Sequence, residues 1–302
     1  MLRTDICGIR LDNPTILASG ILGVTKASLA NCIRNGAGAV TMKSISKEPR
    51  KGHNNPIIIT FEAGMMNAVG YSNPGLLEAK KEFSDLHEVK GPVIASVIGT
   101  TPEEFAQMVR DFVTDDFAAV ELPLSCPHTP GFGTLAGQGT PEATYDITKA
   151  AVKETKLPVF VKISPNTQSL GDVAKAAERA GAGAITCGNT LGPGMVIDIR
   201  TRQPILDFKV GGISGPALRP IAVRCVYDIY KSVKIPIIGV GGIQTGRDAI
   251  EMIMAGASAV GIGTGVYYRG PEVFRLICRE MEEFMQQEGI RDIKEIIGAA
   301  HA

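Results

Sequence analysis

The chain has 302 residues, 44% of them hydrophobic and 5% aromatic, with 31 Lys plus Arg against 31 Asp plus Glu. That balance leaves no basic field for nucleic acid, and no apolar run approaches the ~18 to 20 residues of a membrane span, so neither partner is expected. Six cysteines at 7, 32, 126, 187, 225 and 278 lie far apart with no C-x-x-C pair, which argues against a zinc or iron–sulfur site and for reduced thiols, and no metal is expected; with no signal-peptide core beside Asp5, a cytoplasmic protein is expected.

The chain opens with a small hairpin pattern, Leu2 to Cys7 and Ile9 to Leu11, with Gly8 in its turn. A buried strand from Thr15 to Ala18 then ends at Ser19-Gly20, a helix covers Lys26 to Asn35, and a second strand, Ala39 to Met42, runs into Lys43-Ser44. A lysine at the end of an apolar strand is costly to bury and needs an anionic or polar partner. The long loop that follows carries Asn67-Ala68-Val69-Gly70-Tyr71; loops of this length are usually functional or mobile, and Asn67 can both donate to and accept from an amide edge. Met65 and Met66 fit packing as well as ligand contact. A helix is predicted over Leu76 to His87 and a third strand over Val93 to Val97, where Ser96 is the one polar residue of note. Thr101-Pro102-Glu103-Glu104 opens the next helix with a capping residue and Pro at its first position.

The fourth strand, Ala118 to Leu122, delivers Ser125-Cys126-Pro127-His128 into a glycine-rich loop, Thr129 to Thr140. A cysteine in such a loop can reach a bound substrate, whereas Cys32, Cys225 and Cys278 fall in helical patterns; the alternative for Cys126 is a small buried apolar residue. His128 fits the site or a surface loop equally well. After a helix from Pro141 to Lys156, the fifth strand, Val159 to Ile163, holds Lys162 inside an apolar run, so a positive charge is kept near a strand mouth. The sixth strand, Ala184 to Cys187, ends in Gly188-Asn189-Thr190; a long excursion, Leu191 to Ser214, precedes Gly215 and a helix reaching Val233.

The last two strands carry the strongest local signal. Ile237 to Val240 ends at Gly241-Gly242, Ala259 to Ile262 ends at Gly263-Thr264-Gly265, and between them Thr245 with Asp248 reads as a capping box. Two successive strand ends thus present bare backbone N–H groups, the arrangement with which the final loops of an eight-fold barrel hold a phosphate. Helices from Pro271 to Gln287 and Asp292 to Ile297 close the chain. Eight strands alternating with helices predict a (β/α)8 TIM barrel, one α/β domain over 1–302, with long βα loops over its C-terminal face and the small N-terminal hairpin across the closed end.

The order Ala18-Ser19-Gly20, Lys43-Ser44, Asn67 to Gly70, Ser125 to His128, Lys162, Asn189-Thr190, Gly241-Gly242 and Gly263-Thr264 resembles the dihydroorotate dehydrogenases along the whole chain. It is most similar to their cytosolic, NAD-linked, two-subunit branch in its archaeal form, in which a cysteine holds the base position. The resemblance implies FMN bound by Ser19, Lys43, Ser44, Lys162, Gly188, Gly215, Gly241, Gly242, Gly263 and Thr264. It implies a dihydroorotate/orotate site of Lys43, Asn67, Ala68, Val69, Gly70, Tyr71, Asn189 and Thr190. Cys126 and Lys43 are the expected catalytic residues, Cys126 taking the C5 proton while a hydride leaves C6 for the flavin. It further implies a homodimer core in a heterotetramer with an electron-transfer subunit carrying FAD and a [2Fe–2S] cluster, and NAD as terminal acceptor. Two positions depart from the family pattern, Pro123 and Ser96 standing where asparagines are usual, and Pro123 is expected beyond the end of its strand because it lacks a ladder N–H. Three other readings fit the same residues: a uracil or thymine dehydrogenase-like flavoenzyme, a fumarate-linked dihydroorotate dehydrogenase, and a flavin-binding relative without turnover.

Overall fold

The structure is a computed structural model that describes residues 1–124, 139–167 and 169–302. Eight parallel strands close into a barrel: β1 (Thr15–Leu17), β2 (Ala39–Thr41), β3 (Val93–Ser96), β4 (Ala119–Pro123), β5 (Val159–Ile163), β6 (Ala184–Cys187), β7 (Ile237–Val240) and β8 (Ala259–Ile262). Each strand pairs with its sequence neighbours and β8 closes on β1, the right-handed strand–helix repeat that the alternating pattern predicts. Because helices cover the barrel's outer face and side chains fill its inside, the strands are buried on both faces and read as continuous apolar runs.

Local sequence explains where the helices begin. Thr101 accepts a hydrogen bond from Glu104 N ahead of the helix Pro102–Phe112, whose first residue is proline. Thr245 and Asp248 form the expected reciprocal capping box at Gly246–Met254. The helix from Leu76 is shorter than its apolar pattern predicts, ending at Glu82, with a separate 3-10 turn at His87–Val89. Ser84 and Asp85 intervene; Ser84 Oγ donates to Lys81 O and Asp85 Oδ1 accepts from His87 N, so their side chains compete for the backbone groups a continuing helix needs.

Inside the barrel the side chains form layers. At the closed end Ile16, Ala39, Ile94, Ala119, Phe160, Ala184, Ile238 and Ala259 pack together. The N-terminal hairpin, Thr4–Ile6 with Ile9–Leu11, lays Ile6 and Leu11 onto this layer and so plugs the barrel floor. Two residues further along five strands, on the same inward face, stand Thr41, Ser96, Glu121, Lys162 and Thr186, all buried. The apolar floor thus gives way to a polar layer toward the C-terminal mouth.

The segment between β2 and the helix at Leu76 is not a plain loop. It contains a hairpin, Ile58–Phe61 with Gly64–Asn67, which joins Gly211–Ser214 and Leu191–Gly194 in a four-stranded antiparallel sheet above the mouth. Met66, Ala68 and Leu206 form its small core with Phe61 and Phe208, so Met66 is a packing residue. A short helix, Gly265–Arg269, also follows β8 before the long one, which starts at Val273.

Pro123 corrects the expectation that it lies beyond its strand: it is the last residue of β4, opposite Lys162 of β5. The ladder explains why this is tolerated. Val120 N and Leu124 N donate toward β5, to Pro158 O and Lys162 O, so the odd positions of β4 face β3, where Val97 N still donates to Glu121 O; the proline therefore removes one ladder donor, at the last residue of the strand.

Candidate active site

A cavity of about 220 Å³ opens at the C-terminal mouth, between the barrel rim and the four-stranded sheet. The chain reaches it from strand ends all round the barrel, so its lining residues are scattered in sequence but converge in space. Ser19 enters from beyond β1, Lys43 and Ser44 from beyond β2, and Lys162 from β5. Gly188, Asn189 and Thr190 follow β6, Gly241 and Gly242 follow β7, and Gly263 and Thr264 follow β8. The overhanging sheet supplies Asn67 and, beyond it, Ala68, Val69, Gly70 and Tyr71 from one side and Gly215 from the other. All the expected binding residues therefore line one cavity. Cys126 and His128 lie outside the described residues.

The glycines at the rim have different reasons for being glycine. Gly241 and Gly242 have φ of 144° and 72°, and a Cβ on Gly242 would sit 2.7 Å from Gly215 O, so both are required by the backbone itself. Gly263 is outside the left-handed region, and a Cβ there would meet nothing within 4 Å. The protein's own packing does not exclude a side chain at Gly263; what the missing side chain does is leave a bare backbone facing the cavity. That is the cradle an anionic, planar cofactor needs, and two buried ammonium groups, Lys43 at 9% and Lys162 at 5% exposure, supply positive charge beside it.

Three members of the polar layer, Glu121, Lys162 and Ser96, are tied to the cavity rim by hydrogen bonds. Ser19 Oγ donates to Glu121 Oε1 at 2.9 Å and accepts from Lys162 Nζ at 3.2 Å; Lys162 Nζ lies 3.9 Å from Glu121 Oε1. With its one proton given to Glu121, Ser19 offers a ligand a lone pair. Ser44 Oγ and Ser96 Oγ share a hydrogen bond of 2.9 Å, which gives Ser96 a structural part in placing the lysine–serine corner. Asn189 Oδ1 accepts from Thr190 N, holding the segment after β6.

Three residues of this region carried no expectation from the sequence. Glu121 is buried at 3% exposure, and its signal was a charge inside an apolar run, the same signal that marks Lys162. Asn166 Nδ2 donates to Thr190 O and Asn166 Oδ1 accepts from Gly192 N, pinning the chain after β6; nothing in its local sequence announces that. His53 lines the cavity and stacks on Phe208 with ring centroids 4.0 Å apart, a contact set by the sheet and not by local pattern.

Of the described cysteines none lines the cavity. Burial pushes the Cys32 thiol up to about 11 and the Cys278 thiol up to about 12. The Cys187 thiol is raised by its hydrogen bond to Cys225 and by burial. At neutral pH these three are protonated and poor nucleophiles.

Comparison with known proteins gives the same whole-length picture. The family model described as dihydroorotate dehydrogenase matches residues 1–285. The chain is 48% identical to the dihydroorotate dehydrogenase B (NAD(+)), catalytic subunit, of Methanothermobacter thermautotrophicus, covering 100% of this chain and 99% of that protein. It is 45% identical to the protein of the same name from Methanocaldococcus jannaschii, covering 100% and 98%. A crystal structure of DHODH from Eimeria tenella in complex with ferulenol superposes with a TM-score of 0.82 at 26% identity, over 99% of this chain and 88% of that one.

Proposed function

The chain belongs to the dihydroorotate dehydrogenase family and is an oxidoreductase of dihydroorotate in pyrimidine biosynthesis; we propose that it does this with FMN in the barrel-mouth cavity and Cys126 as the base. The observation that carries the reading is the convergence, at one barrel end, of the bare backbone at Gly263 with the buried ammonium groups of Lys43 and Lys162. A planar anion with a phosphate tail matches such a site.

When bound, the FMN supplies the acceptor for the hydride that leaves C6 of dihydroorotate. The rest is the work of the chain's own side chains. Gly241, Gly242, Gly263 and Thr264 would offer backbone N–H groups to the phosphate, and Ser19, Ser44, Gly188, Gly215 and Lys162 would hold the rest of the cofactor. Asn67 with its neighbours through Tyr71, and Asn189 with Thr190, orient the pyrimidine through its amide edges, a positioning contribution that lowers the entropic part of the barrier. Cys126 Sγ, as thiolate, takes the proton from C5. Lys43, which lines the cavity, would offset negative charge as it gathers on the substrate carbonyl or the cofactor.

The relatives' name, catalytic subunit, describes one part of an assembly. For this chain the reading includes a homodimer core and an electron-transfer subunit with FAD and a [2Fe–2S] cluster, passing electrons to NAD in the cytoplasm. No helix among the described residues is long and apolar enough to cross a membrane. Anaerobic addition of dihydroorotate to the FMN-loaded protein tests the proposal: the flavin absorbance bleaches and orotate forms in equal amount. Reduction by dihydrouracil in preference to dihydroorotate, or release of FAD in place of FMN, overturns it.

A further inference from the structure

We propose that Glu121 is a positioning residue that sets the charge next to the bound flavin, holding the ammonium of Lys162 and lowering the flavin's tendency to accept electrons. The inference rests on the reading of the cavity as an FMN site.

Three observations place Glu121 in that role. It lies on the inward face of β4, two residues before Pro123, and Pro123 lines the cavity whereas Glu121 does not. It therefore sits one layer beneath the cavity floor. Its carboxylate is buried, accepts from Ser19 Oγ at 2.9 Å and stands 3.9 Å from Lys162 Nζ. Both partners, Ser19 and Lys162, do line the cavity. Glu121 thus reaches a ligand only through them.

A buried ion pair is a weak stabiliser of the fold, since two desolvation penalties offset the attraction, and an apolar pair of similar size usually serves stability as well. A carboxylate retained under a cationic cavity has a clear electrostatic consequence instead. Two-electron reduction of a flavin with uptake of one proton adds one negative charge to the ring. Lys162 alone would favour that charge; Glu121 behind it cancels much of the field, so the reduced form is held less tightly and gives up its electrons more readily to the next acceptor. A unit charge roughly 10 Å away in a medium of effective dielectric constant about 20 changes such an equilibrium on the order of tenfold.

The experiment uses the FMN-loaded protein and reads the midpoint potential, by anaerobic reduction with dithionite against a reference dye, for the wild type, Glu121→Gln, Lys162→Met and the double variant. Glu121→Gln is expected to favour reduced over oxidised FMN about tenfold, a rise of ~30 mV for a two-electron couple. Lys162→Met, which removes a charge at the cavity and nearer the ring, is expected to shift the ratio further than tenfold the other way, and the double variant to lie about tenfold toward the reduced form from Lys162→Met. The double variant also covers the case in which Glu121→Gln leaves Lys162 uncompensated and fails to fold, because its comparison with Lys162→Met isolates the carboxylate. FMN bound with equal potentials in the wild type and Glu121→Gln, or in Lys162→Met and the double variant, overturns the inference while leaving the FMN site intact. A wild-type protein that binds no FMN overturns the reading of the cavity, and the inference with it.

Discussion

Substituting alanine at Gly263 separates what the fold needs from what the ligand needs. In the unliganded protein a Cβ at this position meets nothing within 4 Å and the backbone is not left-handed, so stability is expected to stay level or to rise by about 0.4–1 kcal/mol through a less flexible unfolded chain. The added methyl enters the cavity that Gly263 lines. If FMN packs against that backbone, the overpacking costs about 1–3 kcal/mol of binding, which is roughly 5- to 150-fold in Kd. Gly242→Ala is the control with the opposite physics: φ is 72°, and the new Cβ would stand 2.7 Å from Gly215 O and 2.9 Å from Arg219 N, so the unliganded protein itself loses stability by at least ~1–3 kcal/mol. The assay pairs thermal unfolding of the unliganded variants with FMN titration followed by quenching of flavin fluorescence. The expected result is an unchanged or slightly higher Tm with weaker FMN binding for Gly263→Ala, and a lowered Tm for Gly242→Ala. Wild-type FMN affinity in Gly263→Ala would refute the placement of the flavin against β8.

Cys126→Ala is expected to retain FMN and to slow flavin reduction by dihydroorotate ~10²- to 10⁴-fold, the usual loss for a general base; near-normal stopped-flow reduction would assign the C5 proton to another group. Lys43→Ala is expected to weaken orotate binding by about 1.5–3 kcal/mol, the scale of a charge-assisted hydrogen bond, and to slow reduction as well; unchanged orotate affinity in a spectral titration would place Lys43 on the flavin alone. Pro123→Asn is expected to fold normally and to bind orotate equally or up to roughly tenfold tighter, since it adds at most one hydrogen bond of ~0.5–1.5 kcal/mol to orotate. Dihydroorotate activity that appears only in the asparagine variant would show that the natural chain acts on something else.

The barrel was legible because its strands are buried on both faces and end in glycine or polar residues, a signal that is local to each strand. Once the fold is fixed, every residue just beyond a strand is carried to the same mouth, which is why Ser19, Lys43, Asn189 and Gly263, far apart in sequence, line one cavity. The sheet above the mouth was not legible. Ile58–Phe61 and Gly64–Asn67 are four residues each, and half of the first strand is exposed; their stability comes from pairing Gly64–Asn67 with Gly211–Ser214, some 145 residues away, and no window along the chain contains both halves of that pattern. Pro123 failed for a related reason: whether a strand can hold a proline depends on which neighbour its missing N–H would face and how much of the ladder lies beyond, and here it is the last residue of β4.

Glu121 is a different case, because its local signal was present. Lys162 stood out as a charge in an apolar strand, and Ala119-Val120-Glu121-Leu122 has the same form. The inward-facing residues make the rule explicit: Ala39 precedes Thr41, Ile94 precedes Ser96, Ala119 precedes Glu121, Phe160 precedes Lys162 and Ala184 precedes Thr186, each by two positions and each pair on one face of its strand. A polar layer at that height would destabilise a barrel closed at both ends, since each buried group needs a partner. Here the floor below is sealed by Ile6 and Leu11 of the N-terminal hairpin and the space above is open, so Glu121 and Lys162 can share Ser19 at the rim and still turn a charge toward a ligand, while Thr186 Oγ1 stays buried without a partner. The change from apolar to polar along the inward face therefore marks the depth at which packing ends and chemistry begins.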